Sequence, residues 1–68
     1  MISYAPLWKM MAERKMTTYT LRVIHGMSHE TVQRLQKNQS VTTYTLDKMC
    51  KLLDCQLSDI AEYIPDEE

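Results

Sequence analysis

The chain has 68 residues, of which 44% are hydrophobic and 25% charged, with one glycine, two prolines and a net charge of −1. This length supports one small core, so we expect a single domain over residues 1–68 and no room for a sizeable active-site pocket. No apolar run reaches the roughly 20 residues of a membrane span, and the sequence does not open with a signal-peptide pattern. We therefore expect a cytoplasmic protein that does not associate with membranes.

Charge is distributed unevenly along the chain. Residues 1–37 contain six lysines and arginines against two glutamates, a net charge of +4. Residues 38–68 contain two lysines against seven acidic residues, a net charge of −5, and end in an acidic segment at 65–68. A basic first half favours binding to phosphates, although two solvated helix faces would give the same pattern.

The first predicted helix covers residues 4–15. Pro6 fits its first turn, where the missing N–H costs nothing, and Ser3 is the candidate cap. Trp8 lies beside the apolar stripe, where it either covers the edge of the core or meets another subunit. Four apolar side chains form the stripe at helical spacing: Tyr4, Leu7, Met10 and Met11.

A second helix is predicted over residues 17–25. Thr17 is its candidate cap, and Leu21 and Ile24 are three residues apart, as expected of two side chains buried on one helix face. Gly26, the only glycine, can adopt a positive φ and end this helix.

A third helix is predicted over residues 29–37, directly after the turn. Met27 is expected to pin the turn to the core, and Ser28 is a good cap for the new helix. Asn38, which tolerates the left-handed conformation, is expected to end it. The sequence thus indicates helix, tight turn and helix over residues 17–38.

This third helix contains few apolar residues. Only Val32 and Leu35 are spaced to anchor one side of it, and its other side chains are polar or charged. A helix so little buried has its polar face free for another use, so residues 17–38 are the part of the chain that can perform a function.

Two more helices are predicted in the second half. The fourth covers residues 43–53 after a cap at Thr42 or Thr43, with Val41 re-entering the core just before it. The last runs from a cap at Ser58 to about residue 63. Its inward side chains are Ile60 and Ile64, and Pro65 stops it, whereas the fourth helix turns inward Leu46, Met49, Cys50 and Leu53. The expected fold class is all-α, a compact bundle of about five short helices.

The pentapeptide TTYTL occurs twice, at residues 17–21 and 42–46. Two copies are too few for a repeat architecture, and two helices capped alike would explain them. Free N–H groups at the two helix starts, together with Tyr19 and Tyr44, would also suit phosphate contacts if they point the same way.

From residue 4 to 64 the chain resembles the Cro and phage-repressor class of helix-turn-helix proteins, the Xre-like family. The resemblance is carried by the spacing from Leu21 to Gly26, by Met27 and Ser28 in the turn, and by the pattern LDKMCKLLDCQLSDI that follows. It implies a lambda-repressor-like DNA-binding domain with a helix-turn-helix unit at 17–38. The implied function is sequence-specific regulation of transcription, with helix 29–37 in the major groove.

The resemblance also implies which residues contact DNA. Arg34 can bind guanine O6 and N7 with two hydrogen bonds, and Glu30 can accept from cytosine N4. Arg22 stands where the family usually has a small residue, so we expect it to reach solvent or phosphate. The implied base contacts are Ser28, His29, Glu30, Thr31, Gln33 and Arg34. The implied phosphate contacts are Thr18, Tyr19, Arg22, Lys37, Asn38, Gln39, Thr43 and Tyr44.

Other chemistry finds less support. His25, His29, Cys50 and Cys55 are zinc-ligand types, but the two histidines straddle the Gly26 turn, so no metal site and no cofactor is expected. The residues of a catalytic site are also missing, so the protein is not expected to be an enzyme. The competing hypothesis is a protein-interaction module, an antitoxin-like or regulator-binding subunit with little DNA binding of its own.

The expected partner is double-stranded DNA, bound by a homodimer, with a protein partner as a further possibility. One short helix buries too little surface for useful affinity, and two half-sites about 34 Å apart match one turn of DNA. The dimer surface is expected at the C-terminal helix or at Trp8.

Overall fold

The computed structural model describes residues 1–66. Its elements in chain order are β1 (Ile2–Ser3), α1 (Ala5–Glu13), a π helix (Thr20–Ile24), α2 (His29–Gln36), α3 (Thr43–Leu53), a 3₁₀ turn (Leu57–Asp59) and β2 (Glu62–Tyr63). The prediction of a mostly helical fold is confirmed. The prediction of an all-α bundle of about five helices is wrong in detail, because residues 1–66 form four helices, one 3₁₀ turn and a two-stranded sheet. Glu67 and Glu68 of the predicted acidic end lie outside the described residues.

The two ends of the described chain pair as an antiparallel sheet in place of the predicted last helix. Ile2 lies opposite Tyr63, and Ser3 lies opposite Glu62. After the 3₁₀ turn the backbone extends, and this lets it pair with a strand some 60 residues away, which no local pattern reveals. Ile60 is fully buried as predicted, but Ile64 is exposed, so its predicted inward position is wrong.

The 3₁₀ turn that precedes β2 begins differently from the prediction. The backbone N–H of Gln56 donates to the Asp59 carboxylate at 2.9 Å. Ser58 lies inside this turn, so its predicted capping role is wrong.

One core lies between α1, the π helix, α2, α3 and the 3₁₀ turn. Fully burying one leucine, valine, isoleucine or methionine side chain stabilises the fold by about 1.5–3 kcal/mol. The buried side chains of this core are therefore the main source of the fold's stability. The predicted stripes of the first, third and fourth helices all contribute to it. The buried hydrophobic residues are Tyr4, Leu7, Met11, Leu21, Val32, Leu35, Met49, Leu53 and Ile60. Packed against them are the partly buried Trp8, Met10, Met16, Met27, Val41, Leu46, Cys50, Cys55 and Ala61.

The second predicted helix is wound as a π helix. The carbonyl of Thr20 accepts from the N–H of His25 at 3.2 Å, five residues on. A π turn holds more residues than an α turn, so two side chains that are three residues apart, such as Leu21 and Ile24, do not lie on the same face of the helix. Leu21 is buried, but Ile24 is 67% exposed, so the prediction that Ile24 is buried is wrong. Thr17 is not a side-chain cap either, because no side chain caps the start of this helix, and the Thr17 backbone N–H donates to the Thr20 hydroxyl at 3.4 Å.

Each of the four helices is followed by a residue in the left-handed region. These residues are Lys15 (φ 58°), Gly26 (φ 68°), Asn38 (φ 55°) and Asp54 (φ 50°). Three of the helices also close with a hydrogen bond spanning six residues, for example from the N–H of Gln39 to the carbonyl of Arg34 at 2.8 Å. The predicted stops at Gly26 and Asn38 are confirmed. Within residues 1–66, no helix is both long and apolar enough to cross a membrane.

Candidate nucleic-acid interface

The turn after the π helix fixes where α2 begins. Met27 packs half-buried against the core, as predicted. The Ser28 hydroxyl accepts from the N–H of Thr31 at 3.2 Å and donates to the Thr31 hydroxyl at 2.8 Å. The predicted cap is therefore confirmed, and it occupies much of the hydrogen-bonding capacity of both side chains.

α2 presents a continuous polar face to solvent. Val32 and Leu35 are buried, and Thr31 is half-buried on the flank. At 100° per residue, the direction opposite Val32 and Leu35 is occupied by four exposed side chains. These outward residues, called here the outward face, are Glu30, Gln33, Arg34 and Lys37. His29 is exposed at one border of this face, at the first position of the helix.

The side chain of Arg34 is held at two points. Its Nη2 donates to Glu30 Oε1 at 3.1 Å, one helical turn earlier. Its Nη1 donates to the backbone carbonyl of Ser40 at 3.3 Å, in the loop after the helix. Two of the five N–H donors of the guanidinium are thus used, and three are left for a ligand.

The start of α3 lies beside α2. Thr42 caps α3 in the same way as Ser28 caps α2, accepting from the N–H of Thr45 at 3.1 Å. An open cleft of about 440 Å³ separates the two helices, and it is lined by Thr31, Arg34, Ser40, Val41, Thr42 and Thr45. The predicted base contacts at Thr31 and Arg34 therefore share a surface with the start of α3.

A smaller cleft joins the turn of the motif to α3. It has a volume of about 120 Å³ and is lined by His25, Gly26, Met27, Ser28, Thr31, Tyr44, Thr45 and Lys48. Tyr44, a predicted phosphate contact, is 74% exposed at its edge. Sequence reasoning missed His25 and Lys48 as members of this surface. The spacing of four residues from Tyr44 to Lys48, which places both on one helix face, was the signal available for Lys48.

Three of the predicted phosphate contacts that line neither cleft lie at the start of the motif: Thr18 and Tyr19 directly precede the π helix, and Arg22 lies within it. Tyr19 is 59% exposed, and Arg22 is exposed as its unusual position suggested. Thr18 is half-buried. Thr43, by contrast, is exposed at the first position of α3, next to the two clefts.

Asn38 and Gln39 each take part in hydrogen bonds within the protein. The Asn38 side-chain oxygen accepts from the backbone N–H of Tyr4 at 3.0 Å, and the Gln39 carbonyl accepts from the Tyr4 hydroxyl at 2.9 Å. Both residues also line an apolar cleft of about 450 Å³ that runs towards Ile2 and Tyr63 at the sheet. The other groups of Asn38 and Gln39 remain exposed in the loop after α2.

The cysteines and histidines do not converge. Among residues 1–66, no three side chains of His, Cys, Asp or Glu form a group that could hold a metal ion. Cys50 and Cys55 are free thiols packed at the edge of the core. Burial raises the pKa of the Cys55 thiol, and the neighbouring Cys50 raises it further, so the neutral thiol is favoured over the thiolate.

Comparison with known proteins identifies this arrangement. Residues 6–66 match the model of the Cro/C1-type HTH DNA-binding domain. The chain is 38% identical over 61 residues to YozG of Bacillus subtilis (strain 168), an uncharacterized HTH-type transcriptional regulator, covering 87% of this chain and 73% of YozG. The crystal structure of the transcriptional regulator VanUg superposes with a TM-score of 0.87 at 37% identity, covering 96% of this chain and 87% of that one.

The fold and its polar second motif helix thus define a helix-turn-helix DNA-binding protein. The chain belongs to the Cro/C1-type family, and it is a DNA-binding transcriptional regulator. The resemblance inferred from the sequence is confirmed.

Proposed function

We propose that α2 enters the major groove and reads base edges with its first turn and with Glu30, Gln33 and Arg34 of its outward face. The observation that carries this proposal is the burial pattern of α2, in which Val32 and Leu35 anchor the helix, Thr31 is half-buried and the other side chains are exposed. The major groove of B-DNA admits one α helix and displays a distinct hydrogen-bonding pattern for each base pair. The proposed base-contacting set is Ser28, His29, Glu30, Thr31, Gln33 and Arg34.

Residues next to α2 in the chain and at the start of α3 contact the phosphate backbone of the DNA on either side of the groove. The exposed aromatic residues Tyr19 and Tyr44 and the exposed cations Arg22 and Lys37 support this assignment, since hydroxyl and cationic groups bind phosphate oxygens. We add Lys48, which lines the cleft beside Tyr44. The remaining proposed phosphate contacts are Thr18, Asn38, Gln39 and Thr43.

The protein acts as a homodimer on a roughly palindromic site. One eight-residue helix reads only a few base pairs, and two helices spaced by about 34 Å would read one half-site each. Trp8 packs half-buried against the core, whereas Leu57, Tyr63 and Ile64 are exposed apolar side chains near the sheet. The C-terminal segment is therefore the better supported dimer surface. The protein regulates by binding rather than by catalysis, in the cytoplasm.

The test is selection of binding sequences from a random duplex library at low salt, followed by light scattering of the selected complex. The expected result is a palindromic consensus bound by two chains. A pair of variants controls for the lost charge, because each removes one positive charge: Gln33→Ala with Arg34→Ala on α2, and Lys9→Ala on α1. The α2 variant should lose the consensus, and the α1 variant should keep it. If the wild-type chain enriches no sequence, base reading by α2 is wrong.

A further inference from the structure

An ion pair lies in the middle of the outward face of α2. The Glu30 carboxylate accepts from the Arg34 guanidinium at 3.1 Å, and the two side chains are 75% and 46% exposed. Exposed pairs of this kind stabilise a helix by only about 0.3–0.5 kcal/mol, so stability gives little reason for this one. A carboxylate in this place also repels DNA phosphates. Glu30 therefore lowers affinity for DNA unless it contributes something else.

The contribution visible in the geometry is the orientation of Arg34. A free arginine side chain samples many rotamers, and all but one are lost when it binds a base. Here Glu30 accepts from Nη2 of the guanidinium and the Ser40 carbonyl accepts from Nη1, so two different nitrogens of the same planar group are held. Three N–H donors remain, and a guanine needs two.

We propose that Glu30 is a positioning residue, which fixes the Arg34 guanidinium before DNA binds and so sharpens the choice of base made by Arg34. This inference rests on the proposed function, because it assumes that α2 reads bases. It reassigns Glu30 within that proposal: the carboxylate acts through Arg34, and its own contact with a cytosine is not needed.

Double-variant analysis separates these two roles of Glu30. If Glu30 acts through Arg34, removing Glu30 changes nothing further once Arg34 is gone. If Glu30 reads its own base, the two losses appear at different base pairs and add. The chain offers a matched control in Asp47, which forms an exposed ion pair of the same spacing with Lys51 on α3, at 3.0 Å.

The experiment measures the affinity of each full-length variant for the selected operator and for all of its single-base-pair substitutions. The variants are Glu30→Ala, Glu30→Gln, Arg34→Ala, the double variant Glu30→Ala with Arg34→Ala, and Asp47→Ala. The base pair read by Arg34 is the one at which the Arg34→Ala variant no longer prefers the operator base pair to its substitutions. Glu30→Ala should reduce the preference there about two- to ten-fold, the factor expected for ordering one long side chain.

Two further results are expected. Glu30→Gln should keep more of the preference than Glu30→Ala, because its amide oxygen can still accept from Arg34. Asp47→Ala should change the affinity for all sequences by the same factor, as removal of a negative charge that contacts no base does. The double variant should show the same base preferences as Arg34→Ala.

The inference is overturned if Glu30→Ala leaves the preference at that base pair unchanged, or if it changes a different base pair in the Arg34→Ala background. Failure of the wild-type chain to select any sequence would overturn the proposed function as well, and this result is distinct from the first two. Circular dichroism of each variant verifies that the helices are intact, and Glu30→Gln, which keeps the size of the side chain, provides the test if Glu30→Ala loses structure.

Discussion

The Tyr4 hydroxyl donates a 2.9 Å hydrogen bond to the backbone carbonyl of Gln39, which lies in the loop after α2. The backbone N–H of Tyr4 completes the link by donating to the Asn38 side chain at 3.0 Å. The same residue is 4% exposed and belongs to the core. Tyr4 thus links the start of α1 to the loop that directly follows α2.

Tyr4→Phe is expected to destabilise the fold by about 1–2 kcal/mol, because it leaves the part-buried Gln39 carbonyl without its partner while keeping the aromatic ring in the core. Urea unfolding followed by circular dichroism measures this loss. Tyr63→Phe is the control, since Tyr63 is 67% exposed and its free energy of unfolding should change by less than about 0.5 kcal/mol. Equal effects of the two substitutions would contradict the role given to Tyr4.

Leu21→Ala and Ile24→Ala are expected to differ sharply, although both residues lie on the same helix. Leu21 is 1% exposed, so Leu21→Ala should cost about 2–5 kcal/mol through lost burial and the cavity left behind. Ile24 points into solvent, so Ile24→Ala should change the free energy of unfolding by less than about 0.5 kcal/mol. Thermal or urea unfolding of both variants measures the difference. A large loss at Ile24 would show that this helix is wound as an ordinary α helix.

The parts of the fold that could be predicted from the sequence depend on neighbours within one or two helical turns. The cap at Ser28, the stops at Gly26 and Asn38, and the inward stripe of α3 all follow from such local chemistry. The sheet could not be predicted in this way, because Glu62 and Tyr63 extend only where β1 is available to pair with them. The predicted burial of Ile24 was wrong for a related reason, because the spacing of apolar residues does not determine whether a helix is α or π.

The features of the candidate site also differ in whether local sequence could predict them. The exposure of the α2 face could be predicted, because two apolar residues are too few to bury more than one side of the helix. The anchoring of Arg34 by the Ser40 carbonyl could not, because it depends on the path of the loop. Whether His25 and Lys48 line the same cleft likewise depends on how closely α3 approaches the turn.

Ser28→Ala and Thr42→Ala are each expected to destabilise the domain by about 1 kcal/mol, because each hydroxyl accepts from a backbone N–H at the start of its helix. Thr17→Ala is the matched control: Thr17 precedes a helix too, but there it is the Thr20 hydroxyl that accepts from the Thr17 backbone N–H, a bond that the substitution leaves in place. Its effect should stay within about 0.5 kcal/mol. Urea unfolding of the three variants tests the order, and a loss at Thr17 as large as at Ser28 would contradict it.

Lys48→Ala is expected to weaken binding to all DNA sequences alike and to reduce the slope of log affinity against log salt by about 1, because one phosphate contact is lost. Lys9 on α1 is an exposed lysine that lines a cleft with Pro6 and Ser58, away from the proposed interface. Lys9→Ala removes the same charge and should leave the slope unchanged. Fluorescence anisotropy titrations at four or more salt concentrations provide both slopes. An unchanged slope for Lys48→Ala would remove Lys48 from the interface.

Arg34→Ala and Lys37→Ala are expected to weaken DNA binding in different ways, although both remove one positive charge from the outward face of α2. Arg34→Ala should lose about 1–3 kcal/mol on the selected operator and relax the preference at one base pair of each half-site, because a bidentate contact to guanine distinguishes that base from the other three. Lys37→Ala should lower the affinity for operator and random DNA by the same factor and flatten the salt dependence, because a phosphate contact carries no sequence information. Competition titrations with operator, single-base variants and random duplex measure both effects. Equal losses on operator and random DNA for Arg34→Ala would mean that Arg34 contacts the backbone, and the base-reading face of α2 would then have to be sought nearer His29 and Gln33.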